Sequence, residues 1–157
     1  MQKEILKQEA VQSSPSSQAF MGKDQIRTIA VTSEDPSCPI ENLFAPRENG
    51  GWRAGEPGPQ QIRITFLQPQ RLSVIELEFR EPTFERTQEF VIRWAKSPEA
   101  ERQEIVRQRW NFSPQGSTRE REQYALNLDG VLVLELFINP DVSRPDAIAS
   151  LAHLNIA

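Results

Sequence analysis

Residues Ser33–Phe66 read SEDPSCPIENLFAPRENGGWRAGEPGPQQIRITF, and their order decides the fold. Pro36 and Pro39 exclude a central strand or a helix interior before Ile40, because proline donates no backbone hydrogen bond and fixes φ. Ile40-Glu41-Asn42-Leu43-Phe44 then has room for a single helical turn. Asn49-Gly50-Gly51 is a tight turn that needs positive φ, which glycine supplies without a Cβ clash. Trp52 follows at once. A large aromatic after such a turn is expected to plug one end of a β-sandwich. Asn42 is expected to bridge loop backbone, and Arg53 to stack on Trp52, pair with Glu41 or face a ligand. Ile62, Ile64 and Phe66 then alternate with Arg63, Thr65 and Leu67, the period of a half-buried strand.

Outward from this stretch the pattern repeats. Ile26–Thr32 precedes it as a first strand, with Ile29 and Val31 on one face. After it come Leu72–Phe79, a strand around Phe90, Ile92 and Trp94, and Gln103–Asn111, whose inward face the alternation leaves ambiguous. Tyr124, Leu126 and Leu128 alternate next. Asp129-Gly130 reads as a hairpin turn, followed by the most apolar strand, Leu132 to Ile138. A loop over 139–148 leads to a closing strand at 151–156. About eight short strands separated by Gly/Pro turns, with no long amphipathic helix after Asp24, describe an all-β sandwich or jelly roll.

The 157-residue chain divides into residues 1–24 and a domain over 25–157. Met1–Val11 has only Ile5, Leu6 and Val11 for a weak helix. Gln12–Gln18 is a Ser/Gln/Pro tract, so residues 1–24 are expected to form a disordered, flexible arm. The arm lacks the apolar core of a signal peptide, which gives a cytoplasmic expectation. No apolar run reaches the ~18–20 residues of a membrane span. The formal net charge of −4 argues against a general phosphate-binding surface, so no nucleic acid is expected as a partner. One cysteine, Cys38, forms no internal disulfide, and with the one histidine, His153, it builds no Cys/His zinc site.

The run Thr32–Phe66 resembles the first third of a discoidin-like (coagulation factor type C, galactose-binding-like) jelly roll. Glu41-Asn42-Leu43-Phe44, Trp52-Arg53-Ala54, Gly58 and Ile62–Phe66 carry the likeness, with Leu72–Leu77 after them. Within that superfamily the run is similar to the N-terminal domain of a single-strand-break repair scaffold. The resemblance implies an eight-stranded jelly-roll β-sandwich and a non-catalytic binding module. It favours carbohydrate recognition through loops at one end; the alternative is an intracellular protein-interaction scaffold. Many members carry Asp-Gly after Asn-Leu in a loop that helps hold calcium. Here Ala45-Pro46 stands there, with Glu48 and Asn49 as the remaining oxygen donors. No metal or cofactor is therefore expected.

Loop-end binding draws on three loops, 33–39, 81–87 and 110–118, because a rigid scaffold presents variable loops to ligands. A sugar needs an aromatic face and planar polar groups. Glu81, Phe84, Arg86, Trp110 and Asn111 are the candidate contacts, against a bland reading in which the aromatics anchor the loops inward. Arg102, Arg107, Arg109, Arg119 and Arg121 are interleaved with glutamates and are expected to make cross-strand ion pairs on a solvated face, the other reading being a phosphate or acidic-partner patch. His153 is expected to be structural, and no carboxylate pair presents itself as a catalytic dyad.

Overall fold

A computed structural model describes residues 2–5, 12–13, 19–44 and 50–157. The strands are β1 (Gln2–Ile5), β2 (Gln12–Ser13), β3 (Ala19–Phe20), β4 (Ile26–Val31), β5 (Trp52–Arg53), β6 (Gln60–Arg80), β7 (Arg86–Ala95), β8 (Gln103–Phe112), β9 (Arg119–Asn139), β10 (Ser150–Leu151) and β11 (His153–Ile156). The expected calcium-loop donors Glu48 and Asn49 lie outside the described residues, as does half of the expected arm. The weak helix expected over Met1–Val11 is a strand where it is described: Gln2–Ile5 pair in parallel with Thr28–Val31. The backbone there gains hydrogen bonds from the open edge of β4, which the sparse apolar residues of a lone helix do not offset.

The helical turn falls at Ile40–Phe44, as a 3-10 turn burying Ile40, Leu43 and Phe44. Asn42 donates from Nδ2 to the carbonyl of Gly51 at 3.0 Å, so it bridges loop backbone as expected. Gly51 has φ of 72°, and a Cβ there would lie 2.2 Å from the Leu151 carbonyl oxygen. That close approach lets β5 pair with β10, Trp52 opposite Leu151. Trp52 is fully buried, and its indole N–H donates to the Ser33 carbonyl at 3.1 Å.

The strand count differs from the sequence reading in an informative way. Ile62–Phe66 and Leu72–Phe79 belong to one 21-residue strand, β6, and Tyr124–Leu128 and Leu132–Ile138 to another, β9. The two run antiparallel, Gln60 opposite Ile138 and Arg80 opposite Arg119, with register shifts between Thr65 and Val74. Asp129-Gly130 is therefore a bulge inside β9 and not a hairpin turn. Gly130 has φ of 75°, which a bulge uses as readily as a turn does. The bend sends each long strand through two layers. One layer holds β1, β4, the first half of β6, the second half of β9, β7 and β8. The other holds β11, the second half of β6 and the first half of β9.

The core lies between these layers. Ile62 and Ile64 from one half of β6 meet Ile75 and Leu77 from the other around a small internal void, with Ile92, Leu136 and Leu154. Phe79 and Phe90 pack across the layers with ring centroids 5.2 Å apart. The inward face of β8 is the one carrying Val106, Trp110 and Phe112, which joins the core. No helix among the described residues is long and apolar enough to cross a membrane.

Candidate functional site

The strand pairings bring all three candidate loops to one end of the sandwich. Val31 sits beside Ile62, Gln60 beside Ile138, Arg86 beside Phe112, and Arg80 beside Arg119. A fourth segment, 140–149, shares this end and was missed by sequence reading. Nothing in its Pro/Asp/Ser composition distinguishes a binding loop from a connection.

The 81–87 loop is built around one ion pair. Arg86 Nε donates to Glu81 Oε1 at 2.7 Å. Glu81 Oε2 accepts the backbone N–H groups of Thr83 and Phe84 at 3.1 and 3.2 Å. Burial pushes the Glu81 carboxyl up, but these donors more than offset it and leave the group below the usual carboxylate range. Arg86 also donates from Nη1 to Gln88 Oε1 at 3.1 Å and to the Pro140 carbonyl at 2.7 Å. Its guanidinium lies 4.8 Å from the centroid of the Phe112 ring. The Arg86 side chain is only 3% exposed. It is a strut that ties the 81–84 turn to the 140 loop, and the turn holds Phe84 outward at 65% exposure.

Phe84 stands over a cleft of about 570 Å³ whose walls include Arg53, Glu81, Arg144, Asp146 and Ile148. Arg53 is exposed and takes none of the expected bonds to Glu41. Its backbone is clamped instead, Asp35 N–H donating to its carbonyl at 2.8 Å and its own N–H to the Cys38 carbonyl at 3.1 Å. Asp35 closes the 33–39 loop on itself by accepting from the Ser37 amide and hydroxyl, which lower its pKa.

The five candidate contacts thus divide by place. Glu81, Phe84 and Arg86 line the cleft; Trp110 and Asn111 do not. Trp110 packs against the core and its indole N–H donates to Ser117 Oγ at 3.0 Å. Asn111 Oδ1 accepts from Thr87 Oγ1 at 2.7 Å.

The arginines outside the cleft make ion pairs, as expected, with partly different partners. Arg107 reaches Glu89 and Glu104 at 3.1 and 2.9 Å, and Arg102 reaches Glu135 at 3.1 Å. Arg119 and Arg121 converge on Glu78. Glu120 is fully buried on the inward face of β9, and neither carboxylate oxygen has a hydrogen-bond partner by geometry. Burial first, and then neighbouring Glu122, push it up to about 8. Among the described residues no cluster of three or more His, Cys, Asp or Glu presents a metal site.

No family model and no curated protein matches this chain. Solved structures do match. The family 32 carbohydrate-binding module of NanJ from C. perfringens, in complex with galactose, superposes with a TM-score of 0.61 at 14% identity, over 82% of this chain and 91% of that one. The family 32 module of AlyQ, in complex with 4,5-unsaturated mannuronic acid, gives 0.60 at 16% identity, over 84% and 95%. Reduced XRCC1, bound to the DNA pol beta catalytic domain, gives 0.58 at 12% identity, over 85% and 96%. The chain has the galactose-binding-like jelly-roll fold, with likeness to both carbohydrate-binding modules and the XRCC1 domain. At these identities the likeness establishes the fold alone.

Proposed function

We propose that this chain is a non-catalytic module that binds carbohydrate in the loop-end cleft. One observation carries the reading: Phe84 is 65% exposed at the mouth of a concave site walled by planar charged groups. The other exposed large apolar side chain among the described residues, Leu67, lies at the bend of β6, away from the loops. An aromatic face beside Arg and Asp side chains is the chemistry that takes the apolar side of a sugar ring and its hydroxyls together. Phe84 is the stacking platform, Arg53, Arg144 and Asp146 meet the hydroxyls, and Glu81 with Arg86 position the platform. Neighbours of this fold captured with galactose and with unsaturated mannuronic acid support the ligand class.

A second reading, a protein-interaction scaffold, is favoured by the edges of β8 and of the first half of β9, which no strand among the described residues pairs and which offer backbone to an added strand. It receives less support, because the described surface carries no broad apolar patch. A glycan array read with wild type and Phe84→Ala decides between them. Specific glycan binding that disappears in the variant, with an unchanged melting temperature, supports the cleft. Absence of binding to every glycan refutes it and leaves the strand edges to be tested by partner capture.

A further inference from the structure

A second concavity, of about 500 Å³, lies on the outer face of the three-stranded layer. Alternation places Glu76, Glu78 and Arg80 of β6, Arg119, Arg121 and Gln123 of β9, and His153 and Asn155 of β11 on that one face. Glu78 forms its floor and is nearly buried. Three guanidinium groups close on this carboxylate: Arg80 Nε at 2.5 Å from Oε2, Arg119 Nη2 at 3.1 Å and Arg121 Nε at 3.4 Å from Oε1. Arg80 Nη2 also lies 3.3 Å from His153 Nε2.

The donors of this cup outnumber its acceptors. Each guanidinium has five N–H donors, while the anions of the lining are Glu76, Glu78 and Glu122. The lining is therefore charge-balanced, three arginines against three glutamates, on a chain whose formal charge is −4. Arg119 and Arg121 are next neighbours on one face of β9, roughly 7 Å apart, and share a single carboxylate oxygen. Their side chains remain 54% and 71% exposed, which leaves N–H groups beyond those turned to Glu78 open to solvent at the cup. An isolated surface ion pair needs one arginine per carboxylate; this arrangement gathers three guanidinium groups on one, and spare forked N–H donors are what takes a planar oxyanion.

We propose that this cup is a second binding site, for a small ligand bearing an oxyanion such as a carboxylate, received by the outward N–H groups of Arg119 and Arg121. Arg80 forms a wall of both the cup and the loop-end cleft. An acidic saccharide chain seated in the cleft would thus extend its next charged unit into the cup. The saccharide body rests on the reading of the loop end, whereas the oxyanion site stands without it.

The test is an amide NMR titration of the ¹⁵N-labelled chain with D-galacturonate, with D-galactose and sodium sulfate as separate arms. Saturable shifts at residues 119, 121, 153 and 155 are expected with galacturonate and not with galactose at the same concentrations. The same shifts with sulfate support an oxyanion site. They should weaken about tenfold or more in Arg119→Gln/Arg121→Gln, the loss of charged hydrogen bonds, and persist in Phe84→Ala. Where the glutamine pair fails to fold, the paired lysine variants keep the charge, lose the fork, and should bind more weakly than wild type. Absence of saturable shifts at the cup with both anions, or equal shifts in the arginine variants, overturns the proposal. Loss of galactose shifts at the loop end in Phe84→Ala reports on the cleft alone, so failure of one site is distinguishable from failure of the other.

Discussion

Replacing Arg86 with alanine removes more from this domain than any surface arginine would. The side chain is 3% exposed and holds Glu81, Gln88 and the Pro140 carbonyl at 2.7–3.1 Å, with Phe112 beneath it. Its loss strands a carboxylate that is itself only 13% exposed. Breaking a buried pair by removing one partner costs about 3–5 kcal/mol, because the remaining charge has no compensation. For a domain of this size that lowers the melting temperature by roughly 10–20 °C. Urea unfolding followed by tryptophan fluorescence measures it, since Trp52 and Trp94 are buried. The slope against urea should stay constant while the midpoint falls. Arg107→Ala, which breaks exposed pairs to Glu89 and Glu104, is the control and should move the midpoint far less. Glycan binding should fall in Arg86→Ala as well, because Phe84 loses the turn that presents it. If Arg86→Ala and Arg107→Ala shift the midpoint equally, the strut described above does not exist.

Other substitutions test the remaining features. Glu120 takes up its proton on folding, with its folded pKa raised from 4.5 to about 8. Its contribution is complete below the ordinary carboxylate pKa and is lost as pH rises through that interval, at up to about 1.4 kcal/mol per pH unit. Thermal melts between pH 5 and about 9 should therefore fall for wild type and stay flatter for Glu120→Gln; parallel curves would sink the assignment. Glu78 and Glu81 have lowered pKa values, so their contribution is present at neutral pH and disappears as pH falls below the ordinary carboxylate range. Glu81→Gln should blunt acid unfolding measured by circular dichroism. Gly51→Ala meets both a φ of 72° and a 2.2 Å contact with Leu151 backbone, and should cost at least about 2–3 kcal/mol. Gly50→Ala, at φ 86° with open space around it, should cost about 1 kcal/mol in the same denaturation assay.

Much of the fold is legible because the decisive residues act locally. The Ile40–Phe44 turn follows from two prolines and an apolar triplet, and Trp52 follows from a glycine pair at positive φ whose second member has no room for a Cβ. Asp129-Gly130 misleads for a physical reason. A glycine at positive φ terminates a strand in a hairpin and merely bends it in a bulge, and the difference lies in whether the partner strand continues. Here β6 continues, so β9 does too. The site is less legible than the fold. Glu81, Phe84 and Arg86 fall close together in sequence, and their neighbourhood could be read directly. The 140–149 wall and the Arg119–Arg121–Glu78 convergence depend on pairings between residues 40 or more positions apart. Burial of Glu120 likewise contradicts its charged, solvent-like context in the sequence, and only tertiary packing reveals it.

The passage of β6 and β9 through both layers has a mechanical consequence. Most two-layer proteins could part like the halves of a shell, each keeping its own hydrogen bonds. Here two continuous backbones serve as hinge pins, so any opening of one layer drags the ladder of the other. The spine is thus rigid to shear, and the loops at its free end can change length and charge without loosening what holds the halves together.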